Sequence, residues 1–379
     1  MATIKHRRFN KHSFLDKFIG CERILCDFFA PFADQLPEFP AEISIESIKT
    51  YLESPPTDCE AYEQLYEGLQ MAYDLSNDSG HEALMDAIAL TGVNPDPDHQ
   101  LHAEVLALKC LIFHKDTFQA AVDILRFEKA EKFAIFKGKQ PKALTPLTPA
   151  LEQAFANELR GLFRSIKGDT RVRVRIFKDD DVTNFVVYHE VRPRAELIFE
   201  GNASAVNGSI SPLIYRPARQ DFISYMPNLG RIEIDAANEK DVTAMRRALG
   251  KVCLEDEEFF EGEGANSVHN LGILKSPDFS FTLNDGDQAS LTFLDVSHGA
   301  SARPRITYRD NDVFSALRDY SHLERFREGN IHEAKIKIRF AGESRGRTVR
   351  LYGTNKLSFN RTRNVEAIYQ YLDQWGLYS

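Results

Sequence analysis

The chain has 379 residues, 43% hydrophobic, 27% charged and 11% aromatic, and its 47 Lys and Arg against 56 Asp and Glu leave a formal charge of −9. That profile belongs to globular proteins and excludes disorder as the main state, while the length favours two domains over one core. No run reaches the roughly 18 consecutive apolar residues of a membrane-spanning helix, so no membrane partner is expected.

The basic N-terminus, with Lys5, Arg7 and Arg8, leads into Phe-rich sequence with charges inside it, not into an apolar signal-peptide core. Cys21, Cys26, Cys59, Cys110 and Cys253 contain no CxxC pair and are odd in number. They read as reduced, buried thiols of a cytoplasmic protein.

From Ser13 to about Lys167 the apolar period is helical. Phe14, Phe18, Leu25, Phe28 and Phe29 predict one helix that stops by Pro31. Asp58 is placed to cap a helix carrying Tyr62, Leu65, Leu69 and Tyr73. Residues 101–113 are apolar almost all round and are expected at the domain centre. Three prolines and a glycine between Lys137 and Pro149 predict a linker, and Leu151, Phe155, Leu159 and Leu162 one further helix.

After Gly168 the period becomes two. Residues 171–177 and 185–188 flank Asp179-Asp180-Asp181, the pattern of a β-hairpin with one buried face. Strands are predicted at 196–200, 212–215, 222–225, 231–235, 279–283 and 291–296, with helices at 241–252 and 312–327. A hairpin over 334–352 and a helix over 364–375, ending at Gly376, complete the chain. The expected fold class is α+β multidomain: an acidic helical domain (1–150), then an α+β domain (151–379) with a mainly antiparallel sheet. The two helix-plus-hairpin units at 151–188 and 312–352 suggest an internal duplication, against two independent amphipathic hairpins.

The charge is polarised along the chain. Residues 13–110 carry −15 and residues 303–363 carry +8. Such asymmetry points to different partners for the two regions, with a protein docking on the acidic helical domain, or to the regions facing each other. Alternate positions of a strand share a face, so Lys335, Lys337 and Arg339 project together, joined by Arg350 on the return strand. Arg171, Arg173 and Arg175 form a second row. Cations spaced about 6 to 7 Å along a strand can track the phosphates of DNA or RNA without reading bases. The plainer reading is that these are solvated faces or rows paired to acids of the same chain.

Three patterns could carry chemistry. His99 and His102, one helical turn apart, permit a metal ion to bind, but the Pro-Cys-x-x-Cys segment that completes zinc-deaminase sites is missing. Glu333 and Lys335 match the Glu-x-Lys half of a nuclease core, which with Asp310 or Asp312 would hold Mg2+. Residues 254–263 concentrate six acids around two aromatics, for a metal, a basic partner or solvent. Gly-x-Ser-x-Gly and the phosphate-loop Lys-Ser/Thr pattern are absent.

The sequence therefore predicts a non-catalytic accessory protein of a cytoplasmic complex, bacterial antiviral defence being one such setting, whose basic sheet face contacts nucleic acid and which carries no cofactor. The alternatives are a Mg2+-dependent nuclease centred on Glu333, Lys335 and Asp310 or Asp312, and a purely protein-binding regulatory subunit.

Overall fold

The computed structural model describes residues 9–56, 59–97, 100–179, 181–200, 209–298, 305–361 and 363–378. The chain divides into two units. One holds the segment up to Phe127 together with Arg194–Tyr215, the other Glu128–Pro193 and Arg216 onward.

The first unit contains α1 (Lys11–Leu15), α2 (Glu22–Phe29), α3 (Ile45–Glu53), α4 (Glu60–Asp74), α5 (Asp78–Thr91), α6 (Ala103–Phe113) and α7 (Lys115–Glu128). The single N-terminal helix expected up to Pro31 is broken at Gly20, whose φ of +83° admits the turn between α1 and α2. Its predicted apolar positions Phe14, Phe18, Leu25, Phe28 and Phe29 are nevertheless all buried. A capping box between Ser44 and Ser47 starts α3, and left-handed Gly92 ends α5. Val105, Leu106, Ala107, Leu108 and Cys110 of α6 are buried, as an all-round apolar helix requires. Asp58, the expected cap of α4, lies outside the described residues.

The second unit is built on a ten-stranded sheet in which every neighbouring pair is antiparallel. In chain order it contributes β1 (Lys132–Lys137), α8 (Pro149–Lys167), β2 (Val172–Asp179) and β3 (Val182–Glu190). Among the described residues, the strands β4 (Arg194–Glu200) and β5 (Ser209–Tyr215) pair only with each other, as a ribbon grouped with the helical unit. Then follow β6 (Ala218–Met226), β7 (Arg231–Asp235), α9 (Glu239–Ala248), β8 (Gln288–Ser297) and β9 (Arg305–Arg309). After these come α10 (Val313–Asp319), α11 (Leu323–Glu328), β10 (Asn330–Arg339), β11 (Arg347–Tyr352), β12 (Lys356–Ser358) and α12 (Val365–Gln374). Across the sheet the order is β2-β3-β6-β7-β1-β12-β11-β10-β8-β9.

Helices preceding a large antiparallel sheet with its own helices make the chain α+β multidomain, as its periodicity predicts. Three further expectations about individual elements differ. The run Phe133-Ala134-Ile135-Phe136 is a strand, β1, in the middle of the sheet; buried on both faces, it lacks the alternation that marks a half-exposed strand. Residues 279–283 are irregular. The helix expected over 312–327 is two, separated around Ser321, whose φ is +57°.

The proline-rich segment after β1 is not a free linker. Its backbone donates from Gly138 N to Gly230 O at 2.7 Å, from Lys139 N to Phe259 O at 3.0 Å and from Thr145 N to Cys253 O at 2.9 Å. Tyr225 Oη donates to Lys142 O at 2.6 Å. Prolines remove donors along this stretch, and the remaining amides tie it to the second unit as a strap.

On one face of the sheet, α8 and α9 cover the half formed by β2, β3, β6, β7 and β1. Phe155, Leu159 and Phe163 of α8 and Val242 and Met245 of α9 pack on Phe185, Ile223, Ile232 and Ile234. Of the five cysteines, all free, Cys110 and Cys253 are buried and Cys21, Cys26 and Cys59 are half-buried. Burial pushes the Cys253 thiol up to about 12 and the Cys110 thiol up to about 11. Among the described residues, no helix is long and apolar enough to cross a membrane.

Candidate nucleic-acid interface

Residues directly opposite one another in a sheet share a face, so the register assigns each cation to a side. Glu333 pairs with Tyr352, Tyr352 with Lys356, Lys356 with Ala134, and Ala134 with Ile234. Ile234 pairs with Ile223, Ile223 with Phe185, and Phe185 with Ile176. Lys335 and Lys337, even steps from Glu333, therefore lie on the face that α8 and α9 cover farther along the sheet. Arg173 and Arg175, odd steps from Ile176, lie on the other. The two cationic rows occupy opposite faces, and β2 and β10 are separated by six intervening strands.

Within the first row, Arg309, Phe293, Lys335 and Arg350 stand side by side on β9, β8, β10 and β11, and the line continues through Ser358 to Lys132. A bulge in β8 next to Phe293 places Leu291 and Leu294 both inside while Phe293 stays outside; Thr292, the extra residue, donates from Oγ1 to Lys335 O at 3.1 Å. Lys335 Nζ lies 4.3 Å from the Phe293 ring centroid, Arg309 5.8 Å from the same ring, and Arg350 4.7 Å from that of Tyr352. Cations from β9 and β10 thus flank the Phe293 ring of β8, and Arg350 on β11 adds a third cation beside Tyr352 of its own strand.

Two carboxylates share this face. Glu333 receives Arg350 at 2.7 and 2.8 Å in bidentate fashion and Lys335 at 3.5 Å, while Asp295 accepts from Arg305 at 2.7 Å. Bonding to Glu333 raises the Arg350 guanidinium further above its usual range. Lys337 is exposed and has no hydrogen-bond or ion-pair partner among the described residues; Arg339, also exposed, donates to the Gln288 side chain.

In the second row, Arg171 pairs with an acid of its own hairpin. Arg171 donates from Nε to Glu190 at 2.6 Å, and that interaction, with the Arg171 amide as the leading contributor, holds the Glu190 carboxyl below its usual range. Glu152 on α8 is raised by burial, with Arg173 and Arg175 opposing the rise.

The remaining candidate residues are not gathered into one site. Asp312 caps α10, accepting from Phe314 N at 3.1 Å and Ser315 Oγ at 2.6 Å, and Asp310 accepts from Asp312 N at 3.1 Å. His102 is the N-cap residue of α6 without a side-chain cap bond, and His99 lies outside the described residues. Three of the six acids in segment 254–263 pair with cations elsewhere in the chain: Asp256 with Lys139, Glu257 with Arg247 and Glu261 with Arg246. Phe259 and Phe260 from the same segment enter the core.

Two buried polar clusters escape sequence reasoning. In the first, His189 Nε2 lies 2.8 Å from Asp221, and Lys167 Nζ lies 2.8 Å from Asp241 and 3.2 Å from His189 Nδ1. His189, Asp221 and Asp241 form the one group of potential metal-ligand atoms found among the described residues, with the Lys167 ammonium already supplying a positive charge beside it. In the second, Glu233, fully buried on β7, accepts from Arg361 Nη2 at 2.6 Å and from Tyr369 Oη at 2.7 and 2.8 Å. Burial works to raise its pKa, but Arg361, Arg231 and the donated bonds outweigh it and hold the carboxyl below its usual range. The residues come from β7, the segment after β12 and α12, so no local motif announces them. The one available signal is the alternation Arg231-Ile232-Glu233-Ile234, which sets two charges on a single face of a central strand.

No family model matches the chain, and no curated protein matches it.

Proposed function

We propose that the protein is a non-catalytic, cytoplasmic accessory protein that binds single-stranded nucleic acid on the sheet face formed by β9, β8, β10 and β11. The observation that carries this reading is the cross-strand line Arg309, Phe293, Lys335, Arg350, in which cations flank an aromatic side chain. Bases stack on such rings while Lys and Arg follow the backbone, a combination that tolerates any sequence. Lys337 and Arg339 extend the line along β10 as exposed cations. Arg171, Arg173 and Arg175, on the other face, are not part of this surface. The helical unit, with its large acid surplus, is assigned to a protein partner.

The test is fluorescence anisotropy with a labelled oligonucleotide of about 16 nucleotides over a salt series. Lys337→Glu combined with Arg339→Glu is expected to weaken binding at least about tenfold and to flatten the salt slope by about 0.7 per lost phosphate contact, with an unchanged circular dichroism spectrum. Absence of binding by the wild type at low salt, or undiminished binding by the variant, would refute the proposal.

A further inference from the structure

The second unit contains a cleft of about 380 Å³ between the segment 274–281, α10, α11 and the start of β8. Its volume lies at the lower end of the roughly 300 to 1,000 Å³ typical of small-molecule sites. The lining combines two kinds of side chain. Phe279, Phe281 and Phe314 form a half-buried aromatic wall, with ring centroids 5.2, 5.8 and 6.2 Å apart. Lys275, Arg318 and Arg327 add three cations.

None of these cations has a carboxylate partner among the described residues. Lys275 Nζ donates to Gly329 O at 3.1 Å, and Arg318 donates to Ser315 Oγ at 3.3 Å. Arg327 has no hydrogen-bond or ion-pair partner among the described residues. The one carboxylate lining the cleft, Asp312, is committed to Phe314 N and Ser315 Oγ at the start of α10. Elsewhere half-buried arginines pair with acids, as Arg350 with Glu333 and Arg347 with Glu343 show, whereas Arg327, also half-buried, has no such partner among the described residues, and Arg318 is exposed. A cleft that gathers cations without pairing them to acids is suited to an anionic ligand.

From this combination we infer that the cleft binds a nucleoside monophosphate, its base against Phe279, Phe281 and Phe314 and its phosphate held by Arg318, Arg327 and Lys275. The cavity volume matches a mononucleotide better than a dinucleotide or a lipid chain, and a sugar phosphate has no aromatic ring to set against the wall. Planar guanidinium groups suit phosphate oxygens in a fork geometry that a lone ammonium does not offer. The site is separate from the proposed strand-binding face: Lys335, Lys337, Arg339 and Arg350 do not line it.

The experiment is isothermal titration of the full chain with each of the four ribonucleoside monophosphates, with inorganic phosphate and adenosine as separate titrants. At least one monophosphate is expected to bind with a dissociation constant on the order of 100 µM, and phosphate or adenosine alone at least about tenfold more weakly. Arg318→Glu combined with Arg327→Glu should weaken that binding at least about tenfold while leaving the oligonucleotide affinity and the circular dichroism spectrum unchanged. Lys337→Glu combined with Arg339→Glu should leave it intact, so the two surfaces fail or succeed independently. No binding of any monophosphate at millimolar concentration, or undiminished binding by the Arg318 and Arg327 variant, overturns the inference. Phosphate alone binding as tightly as the nucleotide overturns the role given to the aromatic wall.

Discussion

His269 makes the stability of the second unit depend on pH in a direction its surroundings dictate. The side chain is about nine-tenths buried, both ring nitrogens lack a hydrogen-bond partner among the described residues, and the ring lies 5.6 Å from that of Tyr378. Burial, with a smaller push from Arg231 and against the pull of Glu233, lowers its pKa from 6.5 to about 4. The unfolded chain therefore takes up a proton at a pH where the folded chain does not. Stability is complete above pH 6.5 and is lost as pH falls from there toward the folded value near 4. Linkage over that interval gives a loss of about 2 kcal/mol between pH 7 and pH 5. Urea unfolding at a series of pH values, followed by tryptophan fluorescence, measures it, because Trp375 is buried in the same unit. His269→Gln should remove most of this pH dependence even if it lowers stability at pH 7. A wild-type profile flat between pH 7 and pH 5, or an unchanged slope in the variant, would refute the reasoning.

Two further expectations rest on single sites. Glu233→Gln leaves Arg361 and Arg231 buried without a compensating charge and should cost about 3 to 5 kcal/mol, seen as a Tm fall of roughly 6 to 20 °C by calorimetry. A loss below about 1 kcal/mol would mean that water or another acid replaces the carboxylate. Gly230→Ala puts a Cβ 2.3 Å from Gln140 O at a φ of +58° and should destabilise by about 2 kcal/mol or more, whereas Gly161→Ala, on an exposed helical position with no atom within 4 Å, should stabilise by about 0.5 to 1 kcal/mol. Equal effects at the two glycines in denaturant melts would contradict the strap contact.

Period and composition made most elements legible because most bury one face only. The hairpin of β2 and β3 and the amphipathic α4, α8 and α12 carry that signature plainly. β1 does not, since both its faces are covered, and β9, with alternate side chains exposed and half-buried, lacks an apolar stripe. For the candidate surface, strand alternation grouped Lys335, Lys337 and Arg339 correctly on one side. It could not place them relative to Arg171, Arg173 and Arg175, because that relation passes through eight strands of register. Phe293 was missed for a local reason: the bulge beside it breaks the simple alternation of β8. The Glu233 and His189 clusters depend on residues brought together from distant segments, such as Arg361 with Glu233 and Asp221 with His189.

The place of β1 governs how the protein must assemble during synthesis. β1 leaves the ribosome early, yet one of its two neighbours, β12, is among the last strands made, and Lys132 waits for Ser358. Until then β1 can close only against β7, and the sheet ends in an unpaired apolar edge in its eventual middle. A chain truncated before β12 would carry that exposed edge permanently, so nascent and shortened forms should aggregate or engage chaperones although much of their sequence is present.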